Sequence, residues 1–392
     1  MSPSVVVDVI LVLLLLAALA QGYRNGLVRS VSGMIGAIAG GAAALLLVPF
    51  VGTWVTTPQW RVPATLAAAL LLVLIGLLVG SSIGSAISRR LRKTGFGVVD
   101  RLLGAVGTLV ATALVLGMLA LSIGSLGVPV LSPALASSTV LRSIDGLTPD
   151  PVKSVVAQVR ATVLQEGLPR IVDAFTGETP VIPRFDTDDP LLRAASASVV
   201  RITGNAFACG QSQSGSGFVI APQRVVTNAH VVAGVDQPIV ESTDGALASR
   251  VVYFDPVDDL AVLAVDGLAA APLGTADDLG VGQRAVTEGY PFGGPFDADP
   301  AEVIGLGPLA IPDIYGNSPA ARQVYTLAAD VQQGESGGPL LTEDGRVAGV
   351  IFARGTTTAN VGYALAMSEL ASVAAVAPTL SDPVEPGTCI RG

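Results

Sequence analysis

The chain has 392 residues, a formal net charge of −9 and 51% hydrophobic residues, and this length allows two or three domains that each bury a core. The charge is divided unevenly. The sequence through Leu126 is almost wholly apolar and holds eight Lys/Arg against Asp8 and Asp100, whereas the remainder holds 14 Lys/Arg and 29 Asp/Glu. Binding to nucleic-acid phosphates needs a basic face, so the acidic second part argues against a nucleic-acid partner.

Four apolar segments of the first part are long enough, or nearly so, to cross a hydrocarbon core of about 30 Å as helices. They lie near residues 5–20, 28–51, 62–87 and 102–123. The first is short, but no small-residue cleavage motif follows it, which favours a retained helix over a cleaved signal peptide. The sequence therefore predicts a four-helix transmembrane bundle over residues 1–125, with the lipid bilayer as a partner.

The basic residues of this bundle are concentrated on one side. Arg61 alone lies on the opposite side. The first and third loops hold the other seven: Arg24, Arg29, Arg89, Arg90, Arg92, Lys93 and Arg101. Because cytoplasmic loops collect Lys and Arg, we expect a multi-pass protein of the inner membrane, with its N-terminus and everything after the fourth span on the extracytoplasmic side.

Small and acidic residues of the bundle form a second pattern. Glycines at three- and four-residue spacing in the second and third spans predict closely packed helices. Asp8 and Asp100 lie at span ends. Each is either an interfacial or helix-terminal charge, or a member of a proton relay. Together with GYRNG at residues 22–26 and DRLLG at residues 100–104, they resemble the colicin V production protein family over residues 4–124, which implies an anchor or scaffold.

A connector is predicted over residues 126–188. Apolar residues recur at helical spacing between positions 151 and 175, which predicts a helical segment. Proline, glycine and aspartate then mark a linker up to residue 188. We place the catalytic domain at residues 189–392, where short β-branched runs between turn residues favour an all-β barrel or sandwich.

The candidate nucleophile is Ser336, in the segment GESGGPL at residues 334–340. Glycines on both sides keep such a turn open and allow backbone N–H groups to converge on a developing oxyanion. A serine hydroxyl needs a base with a pKa near 6.5, and His230 is the only histidine of the chain. Asp259, directly before an apolar strand, is the best candidate to orient the imidazole, with Asp255 and Asp258 as rivals.

Three segments in this order, TNAHVV at 227–232, DLAVL at 259–263 and GESGGPL, resemble the trypsin-like serine proteases, in particular the bacterial high-temperature-requirement branch. The resemblance covers residues 190–380 and implies a chymotrypsin-like double β-barrel, with six strands in each barrel and the site between them. It implies that the N–H groups of Gly334 and Ser336 form the oxyanion hole. It also implies a substrate-pairing strand at residues 351–353 (Ile351, Phe352, Ala353) and a pocket wall near Gly362.

Two departures from that branch define a narrower resemblance. We expect no PDZ domain in the 56 residues after Ser336, and the anchor has four spans. A colicin V production-like bundle joined to such a protease is similar to the actinobacterial mycobacterial-acid-resistance protease group. This implies a serine endopeptidase that acts through an acyl-enzyme on proteins or peptides of the cell envelope, in envelope stress or acid resistance. No metal or cofactor is predicted, and the sequence specifies no oligomeric state.

The only two cysteines, Cys209 and Cys389, both follow the fourth span. Disulfides persist outside the cytoplasm, so we expect a Cys209–Cys389 bridge, with two free thiols as the alternative.

Asp330 lies six residues before Ser336. In trypsin-like enzymes this offset marks the floor of the primary specificity pocket, where a carboxylate selects Lys or Arg. A structural carboxylate is the alternative.

The connector itself is a predicted substrate. Pro- and Gly-bounded polar segments are easily nicked, and tethering keeps the local concentration of connector and site high. The alternative is an inert spacer.

Two further alternatives concern the whole chain: a catalytically silent protease fold that serves as a binding module, and a channel or transporter regulated by its protease domain. No midplane charge or broken-helix pattern supports a transporter.

The orientation can be tested with reporter fusions. A reporter that is active only outside the cytoplasm should be active when it is fused after Leu126, because the basic first and third loops are expected in the cytoplasm and the region after the fourth span on the other side. The same reporter inserted between residues 89 and 93 should be silent. Reversed activities would place the protease domain in the cytoplasm.

Overall fold

The computed structural model describes all of the chain except residues 1–2, 55–57, 92–96, 125–133, 136–137, 150, 156, 159–169, 172–176, 207–210, 244, 318, 357 and 391–392. Two compact units make up the chain, residues 1–119 and 120–392. The first contains helices α1 (Pro3–Asn25), α2 (Leu27–Trp54), α3 (Pro58–Leu91) and most of α4 (Gly97–Gly124).

All four of these helices are long and apolar enough to cross a membrane, which confirms the predicted spans. Helices α2 and α3 touch backbone to backbone. A Cβ placed on Gly36 would clash with the carbonyl oxygen of Gly76, and one placed on Gly80 would clash with that of Ser32. The glycine spacing therefore gives the close approach that the sequence predicts. Arg92 and Lys93, which contribute to the predicted orientation, lie outside the described residues.

Asp100 links α4 to the turn between α1 and α2. Its Oδ1 accepts a hydrogen bond from the backbone N–H of Val28 at 3.1 Å, at the start of α2. Gly26, in this turn, has a φ of +80° and lies against the Asp100 carboxylate, with no room for a side chain. A carboxylate that caps a helix N-terminus stabilises it, so the contact favours a helix-terminal charge over a proton relay at Asp100.

Among the described residues of the second unit, four α-helices and fourteen strands frame the fold. The helices are α5 (Thr139–Leu147), α6 (Pro190–Ser196), α7 (Ala229–Val232) and α8 (Met367–Val376). The strands are β1 (Arg170–Ile171), β2 (Val199–Ala206), β3 (Gln211–Ala221), β4 (Arg224–Thr227), β5 (Ile239–Ser242), β6 (Gly245–Ala248), β7 (Arg250–Asp255), β8 (Leu260–Ala264), β9 (Arg284–Gly289), β10 (Asp297–Ile311), β11 (Ala320–Ala328), β12 (Pro339–Leu341), β13 (Val347–Gly355) and β14 (Val361–Ala366).

These strands form two seven-stranded sheets. The N-terminal sheet has the order β6-β5-β2-β3-β4-β8-β7, and the C-terminal sheet has the order β1-β13-β12-β9-β10-β11-β14. A further pairing of β13 with β14 closes six strands of the C-terminal sheet into a barrel, and β1 adds to it in parallel. The chymotrypsin-like fold is thus confirmed. The closed C-terminal barrel has the six strands that the resemblance implies, whereas the N-terminal sheet has seven.

Apolar side chains on the strands form one core inside each sheet and a third core between them. Val200, Val225 and Leu263 lie in the N-terminal core, and Leu327 and Ala364 lie in the C-terminal core. The intervening core includes side chains from both sheets, for example from β3, β8 and β13. Because the two sheets share buried apolar surface, residues at their boundary are held at fixed positions.

The connector and the C-terminal tail both contact the sheets of the second unit. The helical segment predicted between residues 151 and 175 is helical at residues 151–155, and residues 159–169 and 172–176 lie outside the described residues. The tail crosses the N-terminal sheet, where Val384 N–H donates to Val251 O at 2.9 Å. Cys389 is disulfide-bonded, but Cys209 lies outside the described residues, so the predicted pairing stays a prediction.

Candidate active site

The structure brings His230 and Asp259 together. His230 lies on α7 directly after β4, and Asp259 lies directly before β8, the neighbour of β4 in the sheet. Imidazole Nδ1 is 2.7 Å from Asp259 Oδ2, and the backbone N–H of His230 donates to Asp259 Oδ1 at 2.9 Å. An ionised carboxylate accepts hydrogen bonds but donates none. In a neutral imidazole this contact requires the proton on Nδ1 and leaves a lone pair on Nε2.

Local backbone geometry selects Asp259 over its two rivals. Asp259 has a φ of +55°, an uncommon conformation for a residue with a side chain, and its carbonyl oxygen accepts a hydrogen bond from Asn228 Nδ2 at 2.8 Å. Asp255 instead accepts the backbone N–H groups of Val257 and Asp258 in the turn after β7. The Asp259 side chain is only 3% exposed, so the imidazole shields most of its charge from water.

Ser336 lies in the loop before β12 of the C-terminal sheet, and this loop contacts the N-terminal sheet. Its carbonyl oxygen accepts the N–H of Ser216 at 2.8 Å. A Cβ placed on Gly337, whose φ is +84°, would lie 3.0 Å from the backbone nitrogen of Asn228 and would clash with Thr227 Oγ1. The serine turn thus packs on the residues that lead into α7. Within the described chain the Ser336 hydroxyl is buried and has no hydrogen-bond partner.

The backbone N–H groups of Gly334 and Ser336 donate to no acceptor in the part of the chain that the structure describes. Gly334 has a φ of +93°, which glycine adopts without strain. A Cβ at this position would lie 2.5 Å from the carbonyl oxygen of Tyr290 and 2.8 Å from the nitrogen of Phe292. Only glycine fits here, and both N–H groups are free to bind an oxyanion.

The segment predicted to pair with substrate has two different parts. Ile351 exchanges backbone hydrogen bonds of 2.8 and 2.9 Å with Gly337 and Gly338, so it holds β13 against the serine turn. Phe352 lies at a register shift between β13 and β14, where Ile351 and Ala353 have Cα partners. A residue left out of the ladder keeps its backbone groups available. Substrate pairing along residues 351–353 stays a prediction.

Of the residues predicted to bind substrate, Asp330 borders a cavity of about 470 Å³ that is lined by residues 329–331, 354–356 and 358–361. The Asp330 carboxylate is exposed and accepts a hydrogen bond from Gln332 Nε2 at 2.5 Å. Arg354 also lines this cavity. Gly362 does not face open space, because the side chain of Val331 lies directly against it. The pocket therefore combines an apolar side with charges of both signs.

Two buried carboxylates beside the serine turn were not predicted from the sequence. Glu335 Oε2 accepts the N–H of Gln332 at 2.6 Å, and burial raises the pKa of Glu335 well above its usual range. Burial also raises the pKa of Glu288 to about 8. Neither Glu288 oxygen has a hydrogen-bond partner within the described residues. Nothing in the sequence pattern marks these glutamates as buried, since glutamate is normally exposed.

A buried cation lies on the C-terminal side of Asp259. Arg322 of β11 donates from Nη2 to the carbonyl oxygen of Pro312 at 3.0 Å, and its guanidinium carbon lies 5.8 Å from the centre of the Phe352 ring. Burial lowers the pKa of Arg322, and the negative charges of Asp259, Asp258 and other nearby carboxylates oppose this shift. A positive charge of the C-terminal sheet therefore lies close enough to interact with the charge of Asp259.

Comparisons with known proteins agree with this architecture. Residues 215–350 match the trypsin-like peptidase domain family, and residues 7–149 match the colicin V production protein family. The chain is 38% identical to the serine protease Rv3671c of Mycobacterium tuberculosis, over 100% of both chains. It is 32% identical to the chloroplastic Protease Do-like 1 of Arabidopsis thaliana, over 51% of this chain and 50% of that one.

The crystal structure of the active form of the Rv3671c protease from M. tuberculosis matches with a TM-score of 0.51 and 40% identity, covering 56% of this chain and all of that one. Fold and sequence thus define a trypsin-like serine endopeptidase joined to membrane-spanning helices. The chain belongs to the serine protease family that includes Rv3671c. The predicted combination of a colicin V production-like membrane domain with a trypsin-like protease domain is confirmed.

The raised pKa of Glu288 predicts that stability falls as pH rises. Between the ordinary pKa of 4.5 and about 8, the unfolded chain has lost this proton while the folded chain keeps it, so each pH increase favours unfolding. The Glu288→Gln variant should lose this part of the pH dependence, on the order of a few kcal/mol across the window. Thermal melting of the full chain in detergent from pH 5 to 8 measures the effect.

The control is Glu343→Gln, because Glu343 is a largely exposed glutamate of the same unit. It should melt with the same pH slope as the wild type. If Glu288→Gln also keeps that slope, Glu288 is not the protonated group.

Proposed function

We propose that this endopeptidase uses Ser336, His230 and Asp259 as its catalytic triad. The observation that carries the proposal is the double contact of the Asp259 carboxylate with Nδ1 and the backbone N–H of the only histidine. Nε2 accepts the Ser336 proton as Oγ attacks the substrate carbonyl carbon, and Asp259 stabilises the imidazolium. The N–H groups of Gly334 and Ser336 bind the oxyanion.

The tetrahedral intermediate then collapses to an acyl-enzyme. The imidazolium gives its proton to the leaving amine, so the peptide C–N bond breaks and the first product departs. A water molecule next attacks the acyl carbonyl while Nε2 takes one of its protons. When the second intermediate collapses, Ser336 regains its proton and the carboxylic acid product leaves. These steps use only groups of the chain and water.

The protease domain acts outside the cytoplasm in this proposal. The support is the cation asymmetry of the bundle, seven basic residues against Arg61, which favours an extracytoplasmic position for the region after α4. Substrates are then proteins or peptides of the cell envelope. A role in envelope stress or acid resistance follows from the family resemblance. Acid stability fits such a role, because protonated Glu288 and Glu335 favour the folded state at low pH.

We assign Asp330 a structural role within this site and expect the enzyme to cleave after apolar residues. Asp330 already accepts a hydrogen bond from Gln332, and Arg354 on the same cavity repels a basic side chain. Val331 against Gly362 gives the apolar contact that a small aliphatic side chain needs. These contacts favour a structural carboxylate at Asp330 over one that selects Lys or Arg.

The connector is the first substrate that we propose. Three described contacts hold the connector against the C-terminal sheet and its loops. Ala157 lies against Gly294, β1 pairs with Arg354 and Gly355, and the Pro180 carbonyl oxygen accepts a hydrogen bond from Asn360 Nδ2 at 3.2 Å. Residues 177–189 form no helix or strand, and Val181 is 87% exposed. Such exposed coil beside the site is open to cleavage.

The triad assignment predicts large and specific losses of activity. Ser336→Ala, His230→Ala and Asp259→Ala in the full chain should each lower kcat by about 10⁴-fold or more, because each removes a group that acts in the transition state. Asp258→Ala is the matched control and should change kcat little. Peptide hydrolysis and fluorophosphonate labelling measure the effects. If Asp258→Ala is the damaging variant, Asp259 is not the third residue; if wild type neither labels nor cleaves, the fold is a binding module.

Self-processing predicts a shortened C-terminal fragment in cells that express the wild type and none in cells that express Ser336→Ala. Sequencing of the fragment's N-terminus should place the cut within residues 177–189. A cut after Val181 agrees with a structural Asp330, whereas a cut after Arg184 would reassign Asp330 to the recognition of basic residues. The same fragment from the Ser336→Ala chain would mean that another protease makes the cut.

A further inference from the structure

Three residues of the N-terminal sheet form a row that faces the serine loop of the C-terminal sheet. Arg201 of β2 is the register partner of Ser216 on β3 and of Glu241 on β5. Residues in one register position project from the same face of a sheet. The row Glu241–Arg201–Ser216 therefore presents three polar side chains side by side.

Ser216 is the hydrogen-bonding centre of this row. Its Oγ donates to the carbonyl oxygen of Gly334 at 2.7 Å and accepts the N–H of Tyr290 at 2.9 Å. Its backbone N–H donates to Ser336 O, and its carbonyl oxygen accepts Thr227 Oγ1 at 2.7 Å. Four polar contacts of one buried residue thus join the oxyanion-hole residues to the strand that leads to His230.

Arg201 holds the turn Pro291–Gly293 that follows Tyr290. Its Nη1 donates to the carbonyl oxygen of Gly293 at 2.9 Å, and its guanidinium carbon lies 5.8 Å from the centre of the Tyr290 ring. Its Nη2 is paired with Glu241. A guanidinium fixed by a carboxylate can donate in a defined direction, which a flexible ammonium cannot do as well.

The turn Pro291–Gly293 orients the peptide group that carries the N–H of Gly334. Phe292, with a φ of +55°, donates its N–H to the carbonyl oxygen of Gln333 at 2.5 Å. In a planar trans peptide the C=O and the N–H point in opposite directions. With the Gln333 oxygen held by the turn, the N–H of Gly334 must point away from it. Rotation of this peptide would remove one of the two oxyanion donors.

We propose that Ser216 and Arg201, with Glu241, are positioning residues that keep the oxyanion hole assembled from across the sheet boundary. The inference rests on the proposed roles of Ser336 and Gly334. Oxyanion stabilisation depends on donors fixed before the reaction. Loss of the row therefore weakens binding of the tetrahedral transition state more than binding of the ground-state substrate.

The first test compares Ser216→Ala with the wild-type full chain in detergent. We expect kcat to fall by about 10- to 100-fold, below the loss of an oxyanion donor itself, with KM within about twofold. The inhibition constant of a peptide boronate, which forms a tetrahedral adduct with the serine, should rise by the same factor as kcat/KM falls. Active-site titration with a fluorophosphonate corrects for any inactive fraction, which would lower kcat without changing the boronate affinity.

Ser249→Ala is the matched control, because Ser249 is another buried serine, between β6 and β7, whose Oγ donates to a carbonyl oxygen, that of Pro238, at 2.8 Å. It should leave both constants unchanged. Arg201→Met combined with Glu241→Gln, which leaves no unpaired charge, should reproduce the Ser216→Ala pattern. Arg201→Lys, which keeps the positive charge, should retain more activity than the Arg201/Glu241 double variant. Arg250→Met removes an arginine from an exposed ion pair with Asp266 and should have no effect.

The positioning role is wrong if Ser216→Ala and the Arg201/Glu241 double variant keep kcat within about twofold of wild type. It is equally wrong if their activity falls while the boronate affinity per active site is unchanged. Both outcomes presuppose an active wild type that Ser336→Ala inactivates. If Ser336→Ala remains active, the proposed function itself has failed, and the two failures are distinguishable.

Discussion

The buried carboxylate of Asp259 sets the position of the N-terminal half of the site. Removing an ionised group from water costs several kcal/mol unless hydrogen bonds and opposite charges replace the solvent. Here the replacement comes from the backbone and imidazole N–H groups of His230, while Asn228 holds the carbonyl of the same residue. The left-handed backbone of Asp259 is tolerated because these contacts fix it. These contacts consequently favour one tautomer and one orientation of a neutral imidazole.

The other half of the site belongs to a different sheet and must be held against the first. Shared apolar core supplies most of this attachment, but apolar contacts are non-directional and do not orient a peptide plane. Orientation comes from directional contacts that cross the boundary: Ser216 to Gly334 and Ser336, and Arg201 to Gly293. The connector reaches the same region through Ala157, which lies against Gly294.

Local sequence was sufficient for the features that depend on composition and short motifs. Four long apolar segments predicted the membrane helices, and glycine spacing predicted the contact of α2 with α3. The residue types around Ser336 and His230 restricted the chemistry, because the chain has only one imidazole. Asp259 could be preferred over Asp255 and Asp258 because it directly precedes a buried strand. The structure places its carboxylate, and neither of the others, on the imidazole.

Features that depend on register or on burial could not be read from the sequence. Glu241, Arg201 and Ser216 are far apart in the chain and meet only because β5, β2 and β3 pair in one register. Glu288 and Glu335 look like exposed glutamates until the sheets are assembled around them. The position of Val331 against Gly362 depends on how the loop after β11 packs on β14, and therefore a six-residue offset from Ser336 could not define the pocket.

The most direct test of the account is the protonation state of the single imidazole. In full chain labelled with ¹⁵N-histidine, His230 gives the only imidazole signals, so no assignment is needed. We predict that neutral His230 carries its proton on Nδ1, that this proton exchanges slowly with water, and that Asp259→Ala abolishes both properties. An Nε2-protonated ring, or a rapidly exchanging one unaffected by Asp259→Ala, would contradict the arrangement on which the proposed mechanism depends.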